Sequence, residues 1–166
     1  MRCIAEAAPP IDAAAPPSRA AVGLRGFRPS DVAFLAPIVA EGLHERYDPS
    51  LYASLSAEWP DGFLVAVDAR DLPVGFLLGV NQVEREGRIL MFAVERPQRS
   101  SGIGSILMDA FLERCRARGF RRVTLEVRVS NATAIRFYAR YQYSVVDLLR
   151  TYYSDGENGY QMAREL

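Results

Sequence analysis

Between residues 88 and 127 the apolar pattern changes period twice, and this limits the folds open to the chain. Arg88 to Val94 reads as a strand. From Ile103 to Arg118 apolar residues recur at 103, 106, 107, 110 and 111, the spacing of an amphipathic helix. Gly119 is well placed to end that helix. Val123, Leu125 and Val127 then alternate with Thr124 and Glu126, which is strand again. A strand, a helix and a strand in succession predict a parallel crossover.

The flanking segments predict a mostly antiparallel frame around it. Val22 to Arg28 reads as a strand, Pro29-Ser30-Asp31 as a turn and helix start, and Val32 to Glu41 as a helix. Residues 50–58 form a second short helix, closed by the turn signal Trp59-Pro60-Asp61-Gly62. Phe63 to Asp68, Val74 to Val80 and Arg88 to Val94 are strands joined by turns at 70–73 and 84–87, the pattern of a meander. After the crossover comes a helix from Ala132 to Tyr141, capped by Ser130 or Asn131. Strands at Ser144–Leu149 and Gly159–Arg164 follow, with a loop at 155–158 between them. The expected class is α+β: a mixed, mostly antiparallel sheet of six to seven strands with flanking helices and a central parallel crossover.

With 166 residues, the chain fits one domain, expected over 21–166. Residues 1–20 are rich in Ala and Pro, with little to bury, and read as a tail rather than a signal peptide. The 20 basic and 20 acidic residues balance, which argues against a broad nucleic-acid grip. All the basic residues are Arg, so neither a Schiff-base lysine nor a Walker lysine exists. No apolar run approaches the roughly 18 residues of a membrane span. Cys115 lies one helical turn after Phe111 and reads as a small core hydrophobe, while Cys3 falls in the tail. A lone His44 cannot build a metal site, so no metal is expected, and a reducing cytoplasm suits the chain.

The segment between the crossover's first strand and its helix carries the chemistry. It contains Arg99, Ser100, Ser101, Gly102, Ile103, Gly104 and Ser105. Glycines let backbone approach a ligand, and the first N–H groups of the helix point at it with about half a positive charge. Arg99 and the three serine hydroxyls add donors, a set suited to a pyrophosphate. Leu107 breaks the dinucleotide fingerprint, and the missing Lys breaks the Walker pattern. What remains is Arg-x-x-Gly-x-Gly, which resembles the coenzyme A loop of the GNAT superfamily of acetyltransferases.

A second segment strengthens that resemblance. Leu125-Glu126-Val127, Asn131, Ala134-Ile135 and Tyr138 are similar to the GNAT pattern L-E-V-x-x-x-N-x-x-A-I-x-x-Y. The resemblance spans about residues 22–166. One departure is Gln142-Tyr143, where the family has Gly-Phe. The end of the chain, Tyr152-Tyr153-Ser154-Asp155-Gly156-Glu157-Asn158-Gly159-Tyr160-Gln161-Met162, is similar to the Tyr-Tyr-x-Asp-Gly-Glu-Asp-Ala-Tyr-x-Met run of N-terminal acetyltransferases. These include the archaeal and eukaryotic N-α-acetyltransferases and the bacterial ribosomal-protein alanine acetyltransferase of RimI type. Leu43-His44-Glu45-Arg46-Tyr47 looks like the Leu-Pro-Glu-Asn-Tyr loop of the archaeal and eukaryotic branch, with His44 and Arg46 departing from it.

The resemblance implies direct transfer of acetyl from acetyl-CoA to an amine, foremost the N-terminal α-amine of a protein such as a ribosomal protein. Phe92, Ala93 and Val94 would pair with the pantetheine arm, residues 99–105 would hold the pyrophosphate, and Asn131 and Tyr138 would complete the cofactor seat. Glu126 is the first candidate for the base and Glu45 its rival. Glu126 leaves the core face of its strand, and a carboxylate there could instead be paired to a neighbour such as Arg128. Tyr138, with an ordinary pKa near 10, is the candidate acid. Glu45, Tyr47, Tyr152 and Tyr153 would line the acceptor side. A small-molecule amine or a Lys side chain stays open as acceptor, as does a non-catalytic acyl-CoA-binding role. The expected partners are a peptide N-terminus and no membrane or nucleic acid, in a monomer or homodimer.

Overall fold

Every side chain from Phe63 to Val67 is buried, so this strand is covered on both faces. The computed structural model describes residues 22–43 and 48–166, and in them the covering is by two pairs of helices. The chain runs β1 (Gly23–Gly26), α1 (Val32–Leu43), α2 (Pro49–Glu58), β2 (Phe63–Val67), β3 (Pro73–Val83), β4 (Glu86–Val94), α3 (Ile103–Ala117), β5 (Arg122–Arg128), α4 (Ala132–Arg140), β6 (Ser144–Leu149) and β7 (Gly159–Glu165). The tail at 1–20 and the loop at 44–47, with Glu45 and Tyr47, lie outside the described residues.

All seven strands join one sheet in the order β1-β2-β3-β4-β5-β7-β6. Its pairings are antiparallel except β4 with β5, the expected crossover through α3. Strands β3 and β4 are longer than their apolar runs predict. Their polar ends pair as a hairpin, so the turn shortens to residues 84 and 85, with Arg85 at φ 61°.

Two cores lie on opposite faces of the sheet. Leu35, Ile38 and Val39 of α1 and Tyr52 of α2 meet Phe63, Val65, Phe76, Leu78, Met91 and Ala93. On the other face, α3 and Tyr138 of α4 meet Leu64, Leu77, Ile89, Val123, Leu125 and Val127. Trp59, placed in a turn by sequence, is buried in this second core beside Phe111 and Phe120. Gly79 makes room there, since a Cβ on it would stand 2.2 Å from the Phe111 ring.

The buried stripe of α3 is Ile103, Leu107, Met108, Phe111, Leu112 and Cys115. Ile106, counted on that stripe by periodicity, is instead 40% exposed. Ile106 and Met108 are both apolar, and only docking against the sheet decides between them. Burial pushes the Cys115 thiol up to about 12, so little thiolate exists near neutrality. In a Cys3→Ser variant, Ellman's reagent at pH 8 is expected to label Cys115 only after denaturant is added. Prompt labelling of the folded protein would contradict this packing.

Candidate active site

The site forms where β4 and β5 part. Their parallel pairing runs from Glu86↔Arg122 to Ile89↔Leu125 and stops. Beyond it, Met91–Val94 keep β3 as a partner but pair with no described strand on the β5 side, while Glu126–Arg128 continue alongside β7. A bulge explains the divergence. Gly79 pairs with Ile89 and Leu78 with Met91, so Leu90 is the extra residue and bends β4 at the last shared rung.

The bulge also swaps the faces of β4. Ile89 belongs to the α3–α4 core, yet Met91 and Ala93 belong to the α1–α2 core. Phe92 and Val94 consequently turn toward α3 and α4, where Phe92 packs near Phe137 and Tyr138, with centroids 5.7 and 6.4 Å away. Glu126 alternates with Leu125 and Val127, so it points to the α1–α2 face. The candidate base and the candidate acid therefore lie on opposite sides of the sheet, at the split.

Glu126 is ion-paired, but to Arg88 rather than to Arg128. Nε of Arg88 donates to its Oε2 at 2.9 Å, and Nη2 stands 2.8 Å from the same oxygen as an ion-pair contact. Its Oε1 receives no bond from a described residue. Arg88 sits one rung before the split and also donates from Nη2 to the Tyr152 hydroxyl at 3.1 Å. Sequence reading missed Arg88. Parallel register could have found it, because Arg88 pairs with Thr124, two residues before Glu126 on the same face.

Tyr138 is 8% exposed, and burial pushes its pKa well up, so it is protonated at any physiological pH. Its hydroxyl bonds to no described residue. Tyr153 is raised to about 12, first by burial and then by the neighbouring Tyr152; the Glu126 carboxylate also contributes. Tyr138 in turn feels Tyr153. Glu126 and Tyr152 thus share Arg88, the Tyr153 ring lies 5.1 Å from that of Tyr152, and Tyr138 stands on the other face of the split.

A salt-bridged latch holds the loop that carries the two tyrosines. Arg128 Nη1 donates to Asp155 Oδ2 and Glu157 Oε2, both at 2.8 Å, and its guanidinium lies 4.0 Å from the centre of the Tyr153 ring. Glu157 Oε1 accepts from the Ser130 N–H at 3.0 Å. Ser130 and Arg128 hold the Glu157 carboxyl down to about 2. A depressed carboxyl stabilises the fold above its unfolded pKa and loses that contribution as pH falls through the folded value. The latch is accordingly complete at neutral pH and loosens only between about 4.5 and about 2. An NMR titration should place the Glu157 midpoint near 2; a midpoint above 4 would mean an open latch.

The glycine loop leaves backbone donors uncapped at the start of α3. Ser100 and Gly102 have φ of 65° and 93°, a conformation that favours glycine at the second position. The first turn of α3 has no side-chain cap and no acidic residue, so its N–H groups stay available. Arg99 Nε donates to the Val94 carbonyl at 3.0 Å, fixing the guanidinium over the end of β4. Ser101 Oγ donates to the Gln98 carbonyl. A cavity of about 310 Å³ opens here, lined by Gln98, Ser101, Gly102, Ile103, Ser105 and Ile106 together with Val22 and Asp109. A Cβ placed on Gly104 would rest against the Phe92 and Phe137 rings at ordinary contact distance. These donors and this room fit a pyrophosphate. Asn131 caps α4 through Oδ1 to the Ala134 N–H at 3.1 Å, leaving its amide NH₂ for a further contact.

Comparison with known proteins agrees with this geometry. The acetyltransferase (GNAT) family pattern matches residues 32–143. The chain belongs to the GNAT acetyltransferase family. As such it is an acetyl-CoA-dependent N-acetyltransferase. It is 31% identical over 149 residues to the N-alpha-acetyltransferase of Sulfolobus acidocaldarius, covering 82% of this chain and 88% of that one. The crystal structure of Ard1 from Thermoplasma volcanium is 41% identical with a TM-score of 0.84, covering 87% and 97% of the two chains. Chaetomium thermophilum Naa20, solved in complex with a bisubstrate analogue, is 27% identical with a TM-score of 0.80, covering 87% and 86%.

Proposed function

We propose that this chain acetylates the N-terminal α-amine of proteins, in the cytoplasm, with ribosomal proteins among the acceptors. The observation that carries the reading is the latched loop, which presents Tyr152 and Tyr153 beside Glu126 at the split. A fixed loop of aromatic hydroxyls suits an extended peptide. The names of the Sulfolobus and Thermoplasma relatives support the same acceptor class.

Acetyl-CoA supplies an activated acetyl thioester. Phe92, Ala93, Val94, residues 99–105, Asn131 and Tyr138 would hold it across the α3–α4 face of the split. The chain must then orient the amine, accept its proton and return one to sulfur. Glu126 Oε1 is the group assigned to accept, with Glu45 the rival carboxylate. The Tyr138 hydroxyl, kept protonated by burial, is assigned to donate. An α-amine has an ordinary pKa of about 7.7–8.0, against ~10.4 for Lys, so roughly a tenth is neutral at pH 7 and a modest base suffices.

Incubation with acetyl-CoA and a library of peptides with free N-termini, read by mass, tests the proposal. A gain of one acetyl group at the α-amine is expected. Acetylation confined to Lys side chains or to small amines would replace this reading.

A further inference from the structure

Arg88 serves neither core, yet two of its hydrogen bonds and an ion pair converge on the site. Its side chain is 24% exposed; Nε donates to Oε2 of Glu126, and Nη2 lies within ion-pair distance of the same oxygen. Nη2 also donates to the Tyr152 hydroxyl oxygen. A guanidinium only donates, so Tyr152 is the acceptor in that bond and its own proton is free to point elsewhere. With Arg88 held on Oε2, Oε1 receives no bond from a described residue and is the oxygen assigned to the amine. Arg88 also stands one rung below the bulge, bridging the two strands just before they part. The fork thus joins a carboxylate on β5 to a loop that returns between β6 and β7.

We infer that Arg88 is a positioning residue, which holds Glu126 and Tyr152 as one hydrogen-bonded unit and so couples the proton acceptor to the acceptor-side loop. The inference rests on the N-acetyltransfer reading, with Glu126 at the amine. A planar fork can serve two partners at fixed angles, whereas an ammonium is a point charge on a flexible stem. Arg88→Lys therefore keeps the charge and loses the coupling.

A double-mutant cycle tests this on the intact chain. Arg88→Met should lower kcat about tenfold or more with the KM for acetyl-CoA unchanged, and added guanidinium ion should restore part of the rate. In a Glu126→Gln background the same change should cost less than about twofold, since residues acting through one another are not additive. Arg88→Lys should fall between the wild type and Arg88→Met. Multiplicative effects of Arg88→Met and Glu126→Gln, or a kcat within about twofold of wild type, would overturn the inference. The cycle is run on whichever amine the wild type acetylates best, so a wrong acceptor class defeats the functional proposal without touching this one. A crystal structure of Arg88→Met gives a readout independent of turnover: the Glu126 carboxylate and the Tyr152 hydroxyl should both shift, and unchanged positions would also overturn it.

Discussion

Glu126→Gln is expected to lower kcat by about 10²–10⁴-fold while leaving acetyl-CoA affinity nearly unchanged. Glutamine is close in shape, and its amide oxygen can still accept from Arg88, so the ion-paired geometry is kept in outline. What it cannot do is take a proton from the amine. Tyr138→Phe should slow turnover as well, most of all with poor leaving thiols. It should leave stability intact, because the lost hydroxyl bonds to no described residue and the ring keeps its contacts with Phe92, Phe137 and Tyr143. Glu45→Gln should act mainly on the KM for the peptide. Steady-state kinetics with one peptide and acetyl-CoA separate these outcomes. A crippled Glu45→Gln beside a nearly normal Glu126→Gln would reverse the base assignment. If neither matters, the neutral fraction of the α-amine attacks unaided, and the pH–rate profile follows the substrate's own pKa.

The frame of the molecule was legible because its signals are local. Alternation at Val123, Leu125 and Val127, the helical period after Ile103 and the glycine at 119 each depend on a few neighbouring residues, and each element stands where they predict. The glycine loop was legible for the same reason. What escaped depends on register. Residues 88–94 read as one uninterrupted strand, but the bulge at Leu90 moves Phe92 and Met91 to the faces opposite those that simple alternation from Ile89 assigns. Glu126 and Arg128 share a face and invite pairing. Arg128 instead lies at the end of β5 opposite Gly159, where the returning loop brings Asp155 and Glu157 to it. Glu126 is left to Arg88, a partner 38 residues away that only the β4–β5 rung brings close. The catalytic candidates could be named from sequence, but their partners follow from tertiary register.

Gly104→Asp is expected to weaken acetyl-CoA binding by about 10²–10³-fold without unfolding the protein, and the structure lets the two effects be told apart. A Cβ at Gly104 would meet Phe92 at 3.5 Å and Phe137 at 3.6 and 3.7 Å, ordinary contact distances. The position is the second residue of α3 and Gly104 is not among its positive-φ glycines, so a side chain is tolerated by the backbone. An acidic residue in the first turn of a helix even favours the fold, by about 0.3–1 kcal/mol through the macrodipole. The same carboxylate would belong to the 99–105 segment to which the cofactor's phosphates are assigned, between Gly102 and Ser105 of the cavity lining. Like charges a few ångström apart repel by a few kcal/mol near a protein surface, on the order of the loss stated. Gly104→Asn separates bulk from charge, and Gly104→Ala reports the Cβ alone. Calorimetry with acetyl-CoA should rank affinity wild type, Ala, Asn, Asp in falling order, while the Tm of the Asp variant stays at or above wild type. Full affinity in Gly104→Asp would place the pyrophosphate elsewhere, and a fall in Tm matching the fall in affinity would assign the loss to folding.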